Sequence, residues 1–188
     1  LSSPTPWSGN RGNAYRYISD QPVSLGEDGV YNDVTSVSVE LEGSGRIFYT
    51  TDGSCPDENS AEYTEPLTLD KTTVVRAINV QDGAAPSRAI TLSYIINENH
   101  TLPVLSLSTD SPSTFSGIYY NKRKYYEIPA NISYFEDGGS FNIDCGLKMK
   151  GWTSLENPKK SMGVSFRGCY GDDMLDYDIF GSDVTEFS

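Results

Sequence analysis

Arg46-Ile47-Phe48-Tyr49-Thr50-Thr51-Asp52-Gly53 is a run of β-branched and aromatic residues that ends on a turn dipeptide. It reads as a strand closed by a tight turn. Upstream, across the turn Gly43-Ser44-Gly45, Val34 to Leu41 alternates, with Val37, Val39 and Leu41 on one face and Ser36, Ser38 and Glu40 on the other. A period of two marks a half-buried strand. Downstream, Leu67-Thr68-Leu69, Thr72 to Val80 and Ala89 to Ile96 supply further short strands. Strands and turns at this spacing predict a small antiparallel sandwich over residues 21–97. Residues 1–20 are polar and turn-rich, with Pro4, Pro6, Gly9 and Gly12, and read as a connector or the tail of a preceding module.

Strand patterns resume at Leu102. Val104 to Leu107 is a short strand, and Asn131 to Phe135 and Ser140 to Lys150 form a hairpin around Glu136-Asp137-Gly138-Gly139. Lys160 to Arg167 reads as another strand, with Met162, Val164 and Phe166 in a buried row. Asp172 to Phe180 is acidic and irregular, anchored by Leu175, Tyr177, Ile179 and Phe180. No window shows a helical period of useful length. The expected fold class is mainly β: a sandwich followed by a second, partial β-rich domain over residues 102–188.

A formal net charge of −12 argues against nucleic acid or an anionic membrane as partner. No stretch approaches the ~20 apolar residues of a membrane span. The 13 tyrosines suit strand surfaces and cores, and in exported proteins surface Tyr also serves as a sugar platform. Three cysteines, Cys55, Cys145 and Cys169, cannot all pair internally. A Cys145–Cys169 disulfide and buried free thiols both fit, and no zinc spacing exists. The single histidine, His100, leaves little material for a Ser/His/Asp triad or a metal cluster. Asp172, Asp173, Asp176 and Asp178 lack the Gly and the terminal Glu of a calcium loop, so a solvated acidic turn is the favoured reading. No pair of carboxylates can be placed across a cleft for glycoside hydrolysis. Trp152, beside Gly151, suits either packing between the modules, the favoured reading, or a sugar platform. Asn131-Ile132-Ser133 and Asn99-His100-Thr101 are glycosylation sequons by pattern, but Asn131 lies in an expected strand.

The charge is uneven. Residues 148–167 hold Lys148, Lys150, Lys159, Lys160 and Arg167 against Glu156 alone, a local charge of +4. Lys160 falls in register with Met162, Val164 and Phe166. It either points into a cleft and holds a phosphate, or sits at the strand end and snorkels.

Two resemblances follow from these residues. The string Ile47 to Ser54, with Pro56, then Tyr63-Thr64-Glu65-Pro66-Leu67-Thr68-Leu69 and Lys71 to Ala77, resembles the chitobiase/β-hexosaminidase C-terminal type of module. That resemblance implies an immunoglobulin-like antiparallel sandwich, acting as a spacer or glycan-associated accessory in exported bacterial proteins, with no catalytic residue. The second covers 102–188. Leu102-Pro103-Val104-Leu105-Ser106-Leu107, Gly117-Ile118-Tyr119-Tyr120, Pro129 to Phe135, Gly146 to Gly151, Pro158-Lys159-Lys160-Ser161, Phe166-Arg167, Tyr170-Gly171 and Tyr177-Asp178-Ile179-Phe180 resemble the start of the spore-coat protein H (CotH) kinase-like domain. Ser3-Pro4-Thr5-Pro6 resembles the exit from a lamin-tail-like module.

The second resemblance implies phosphate transfer from ATP with Mg²⁺ by a full-length protein whose metal-binding carboxylates lie further along. It makes Lys160, with Lys150, the residue to contact phosphate. Gly151-Trp152-Thr153-Ser154 departs from the family's Gly/Ser-rich loop. Residues 1–188 alone are expected to lack a complete active site, with neither catalytic nor metal-binding residues. The leading expectation is a fragment of an exported, multi-modular, bacterial cell-surface or secreted protein. A glycan- or cell-surface-binding accessory, or a structural spacer, is the alternative.

Overall fold

A computed structural model describes residues 15, 17–121, 126–181 and 185–188. Most of the expected N-terminal connector, including Trp7 and Ser3-Pro4-Thr5-Pro6, lies outside the described residues. The first module contains β1 (Val23–Ser24), β2 (Gly29–Tyr31), β3 (Val37–Val39), β4 (Leu41–Glu42), β5 (Arg46–Thr50), β6 (Ala61–Glu62), β7 (Leu67–Leu69), β8 (Thr73–Val80) and β9 (Ile90–Ile96). The second contains β10 (Val104–Thr109), α1 (Pro112–Tyr120), β11 (Glu127–Glu136), β12 (Gly139–Met149), β13 (Met162–Ser165), β14 (Leu175–Asp176) and β15 (Glu186–Phe187). The chain is mainly β, as expected.

In the first module a five-stranded sheet runs β2-β9-β8-β5-β6, faced by the pairs β1-β4 and β3-β7. The alternating run from Val34 to Leu41 changes partner at Glu40: β3 pairs with β7, and β4 with β1. Val39 and Leu41 still point inward, joining Ile47, Leu69, Val75, Ala77, Tyr94 and Ile96 in one buried cluster. Each large aliphatic chain there contributes about 1.5–3 kcal/mol by leaving water. The turn after β5 has Gly53 at φ 77°, a left-handed conformation that glycine adopts without a Cβ clash. Among the strand ladders of the described residues here, that of β2 with β9 is parallel.

In the second module the sheet order is β10-β11-β12-β13, all antiparallel. The expected hairpin is present and longer than read. Glu136 pairs with Gly139, leaving Asp137-Gly138 as a two-residue loop with Gly138 at φ 112°. The helix α1 corrects the expectation of no helix. Ser111 caps it by accepting the Thr114 N–H at 3.2 Å, and Pro112 opens its first turn. Its nine residues place Ile118 and Phe115 on the apolar face of the sheet, against Ile128, Ala130, Ile132, Cys145 and Leu147. A helix so short carries too few apolar residues to show a period.

Two further expectations change. The strand expected over Lys160 to Arg167 shortens to β13, and Met162 and Val164 are not in a buried row. They stand opposite Met149 and Leu147 on an edge strand, and both are exposed. Leu175 is buried, but Phe180 is exposed rather than an anchor, with the Phe187 ring 6.1 Å away. Tyr177 packs on Tyr134 and Phe141 and donates to Glu136 at 2.8 Å. Among the described residues no helix is long and apolar enough to cross a membrane.

The layers stack in one order. The small strand pairs cover one face of the five-stranded sheet, and its other face meets the four-stranded sheet, whose far side carries α1. The contact between the two sheets is polar and forms the seam between the modules.

Candidate functional site: a groove along the seam

Strand alternation decides which residues reach the seam. Register pairs Val74 with Ser93 and Arg76 with Thr91, which sets Arg76, Thr91 and Ser93 on the seam face of the first sheet. It likewise pairs Ser106 with Ser133, Ser133 with Asn142, and Asn131 with Asp144 on the facing sheet. The Ser93 hydroxyl lies 2.8 Å from that of Ser106 and 3.2 Å from that of Ser133. The Asn142 amide donates to the Thr91 carbonyl at 2.6 Å, and Asn131 donates to Asn142 and to Asp144 at 2.8 and 2.9 Å. Ser93 and Ser133 are fully buried, and such groups are tolerated only when hydrogen-bonded.

Two arginines tie the modules together at one end of the seam. Arg76 donates to Asp110 at 2.7 Å and to the Thr91 hydroxyl at 3.2 Å. Arg88 donates to the carbonyls of Tyr170 and Cys169 at 2.9 and 3.4 Å, holding the turn at residues 167–171. Between them opens a cavity of about 580 Å³, lined by Cys55, Asn59, Arg76, Arg88, Asp110, Pro129, Asp144, Cys169 and Tyr170 among others. Ligand pockets commonly run ~300–1,000 Å³. A second cavity of about 500 Å³ lies further along the seam, lined by Asp28, Asn131, Asn142 and Asp172.

Burial pushes the Asp144 carboxyl above its ordinary value, against the Asn131 hydrogen bond and the Arg76 charge that pull it down. Asp28 is raised for the same reason, although the Ser93 N–H and Asn142 amide favour its charged form. Tyr170 is held on the cavity wall by its hydroxyl, which donates to Glu127 at 2.9 Å. Burial and that bond to a carboxylate push the phenol up to about 12. Burial raises Glu127 too, but the bonds from Tyr170 and Lys148 and the Arg167 charge outweigh it and hold the carboxyl low.

The expected site residues lie elsewhere. Lys160 precedes β13, with its ammonium on the Asn157 carbonyl at 2.9 Å and 4.9 Å above the Tyr119 ring. That geometry fits the strand-end alternative. Lys150 is exposed, and its backbone N–H donates to the Ser161 carbonyl at 2.9 Å. Neither lysine lines the seam. Within the basic island, Lys148 and Arg167 both meet Glu127, at 3.2 and 2.6 Å. Trp152 is 74% exposed, which overturns the packing between modules favoured from the sequence. All three cysteines are free. Cys145 is buried beneath α1, where burial pushes its thiol up to about 12, and it is not bridged to Cys169. Asn131 is buried within β11, as its expected strand placement implied, and its sequon is inaccessible.

The cavity residues Arg76, Arg88, Asp110 and Asp144 went unmarked in the sequence. A signal existed for Arg76: a charge inside Val74-Val75-Arg76-Ala77 has to find a partner wherever the strand is covered on both faces. For the others no local signal exists, because the residues opposite them belong to another module.

No curated protein and no solved structure matches the chain. Residues 27–91, less than half of it, match the family model of the Chitobiase/beta-hexosaminidase C-terminal domain, so the first module is of that type.

Proposed function

We propose that the chain is a carbohydrate-binding accessory segment of an exported, multi-modular protein, and that the seam cavity holds the sugar. The observation that carries this reading is the set of groups converging there. The Arg88 guanidinium supplies donors, and Asp144 and Asn59 supply acceptors. Tyr170, Pro86 and Pro129 supply apolar wall. A sugar ring presents hydroxyls at its edge and C–H groups on its face, and a mixed wall of this kind answers both. The match of residues 27–91 to a family named for chitobiase and beta-hexosaminidase supports the same class of ligand. A glycan array, followed by calorimetric titration of the hits, tests it. Binding that falls at least tenfold in Arg88→Ala is the expected result. An array with no signal above background refutes it.

A second reading keeps residues 102–188 as the front part of a CotH kinase-like domain. Its support is the order of motifs in that half, together with an antiparallel sheet carrying one helix on its face. In that reading Lys160 or Lys150 contacts ATP phosphate, with Mg²⁺ held by other parts of the full-length protein. Transfer of labelled phosphate from Mg-ATP by the full-length protein, abolished by Lys160→Ala, would establish it. No transfer with intact glycan binding leaves the first reading alone.

A further inference from the structure

The two seam cavities are not independent. Arg88, Ala89 and Asp144 line both of them. Arg88 is exposed and reaches from the first module to the carbonyls of Cys169 and Tyr170 in the second, so its guanidinium stands at the junction of the two cavities. Asp144 offers one carboxylate oxygen to Asn131, and its residue is only half-buried. The walls on either side come one from each module. In the second cavity Gln21, Asp28 and Thr91 face Asn142, Gly171 and Asp172.

From this shared junction, and resting on the carbohydrate reading above, we infer that the groove takes a linear oligosaccharide along the seam rather than a single sugar, with Arg88 and Asp144 as the central subsite. The subsites on either side differ in chemistry. Towards Tyr170, Pro86 and Pro129 the wall is apolar and suits the face of a ring. Towards Asp28, Asn142 and Asp172 it is polar and suits hydroxyl or amide edges. A chain that spans the junction makes both sets of contacts in one binding event, whereas a lone ring makes one set. Affinity then rises with chain length until the groove is filled.

Calorimetric titration of the whole chain with mono-, di-, tetra- and hexasaccharides of the chito- and cello- series tests this. Two substitutions at the far ends accompany it: Asn59→Ala, which lines only the first cavity, and Asp172→Ala, which lines only the second. Both residues are exposed, so neither change threatens the fold. The expected result is a hexasaccharide bound at least tenfold more tightly than the monosaccharide, and weakened several-fold by each substitution. Equal affinity at all lengths overturns the extended groove while leaving the carbohydrate reading in place. A hexasaccharide sensitive at one end only does the same. Absence of binding by every member of both series, with an array that is also silent, overturns the carbohydrate reading itself.

Discussion

Removing either partner of the Arg76–Asp110 pair is expected to have unequal effects, although each change breaks the same ion pair. The two side chains are 7% and 45% exposed. In Asp110→Ala the guanidinium stays in the seam with the Thr91 hydroxyl and a long 3.5 Å bond to the Gly53 carbonyl. A stranded buried charge costs about 3–5 kcal/mol, and those remaining acceptors place this case at the lower end. Asp110 also precedes the N-terminus of α1, where a carboxylate contributes roughly 0.3–1 kcal/mol. In Arg76→Met the half-exposed carboxylate turns to water, and the methionine stem refills the space. Loss of one charge-assisted bond, about 1.5–3 kcal/mol, is then largely offset by no longer burying a cation, leaving about 1 kcal/mol. Urea denaturation reads the difference. With an m-value of roughly 2–3 kcal/mol/M, Asp110→Ala moves the midpoint by about 1–1.5 M and Arg76→Met by less than half of that. The double variant decides the sign, because it removes the stranded cation and is expected to be more stable than Asp110→Ala alone. A double variant as unstable as the sum of the singles refutes the reasoning.

Three further outcomes are expected. Because burial raises Asp144, the folded state holds its proton more tightly than the unfolded chain, so a stability penalty is present above the folded pKa and is relieved as pH falls through it. Asp144→Asn is therefore more stable than the parent at neutral pH, by a margin that shrinks towards acid in thermal melts, and it binds glycan more weakly. Native protein is expected to react with a thiol reagent first at Cys169, more slowly at Cys55, whose thiol burial raises above its ordinary value, and at Cys145 only after unfolding, read as three separable equivalents. Gly45→Ala would press a Cβ into the Val80 carbonyl, whose carbon would be 2.7 Å away, and should cost about 1–3 kcal/mol. Gly26→Ala, with open space around it, is the comparison, and equal melting temperatures would contradict the close approach of Gly45 to the Val80 carbonyl.

The hairpin of β11 and β12 was legible because its alternation and its Asp-Gly turn are local. So were β5, β7 and β8, whose composition and bounding turns leave few alternatives. The seam was not. Alternation along β12 separates Ile143 and Cys145 from Asn142 and Asp144, but it does not say what lies opposite the polar row. Water is the ordinary answer for an antiparallel sheet, and here the answer is another sheet. In β8 both faces are covered, so Val75 and Ala77 turn to one layer while Arg76 and Ile78 turn to the other. That burial erases the alternation which would have marked Arg76. The helix α1 announced itself only through Ser111-Pro112, a capping signal with almost no periodic run behind it.

The polar seam also sets how the molecule responds to temperature. Exposing apolar surface raises heat capacity by about 0.45 cal/K/mol/Å², and exposing polar surface lowers it by about 0.26. The clusters around Val75 and Ile132 are hydrocarbon, and their contribution fades on cooling. The seam, built from Ser93, Ser133, Asn131, Asn142 and the Arg76–Asp110 pair, contributes to the heat capacity with the opposite sign. Cold therefore weakens the interior of each module before it weakens their alignment, and the groove between them keeps its shape over a wider thermal range than an oily interface would allow.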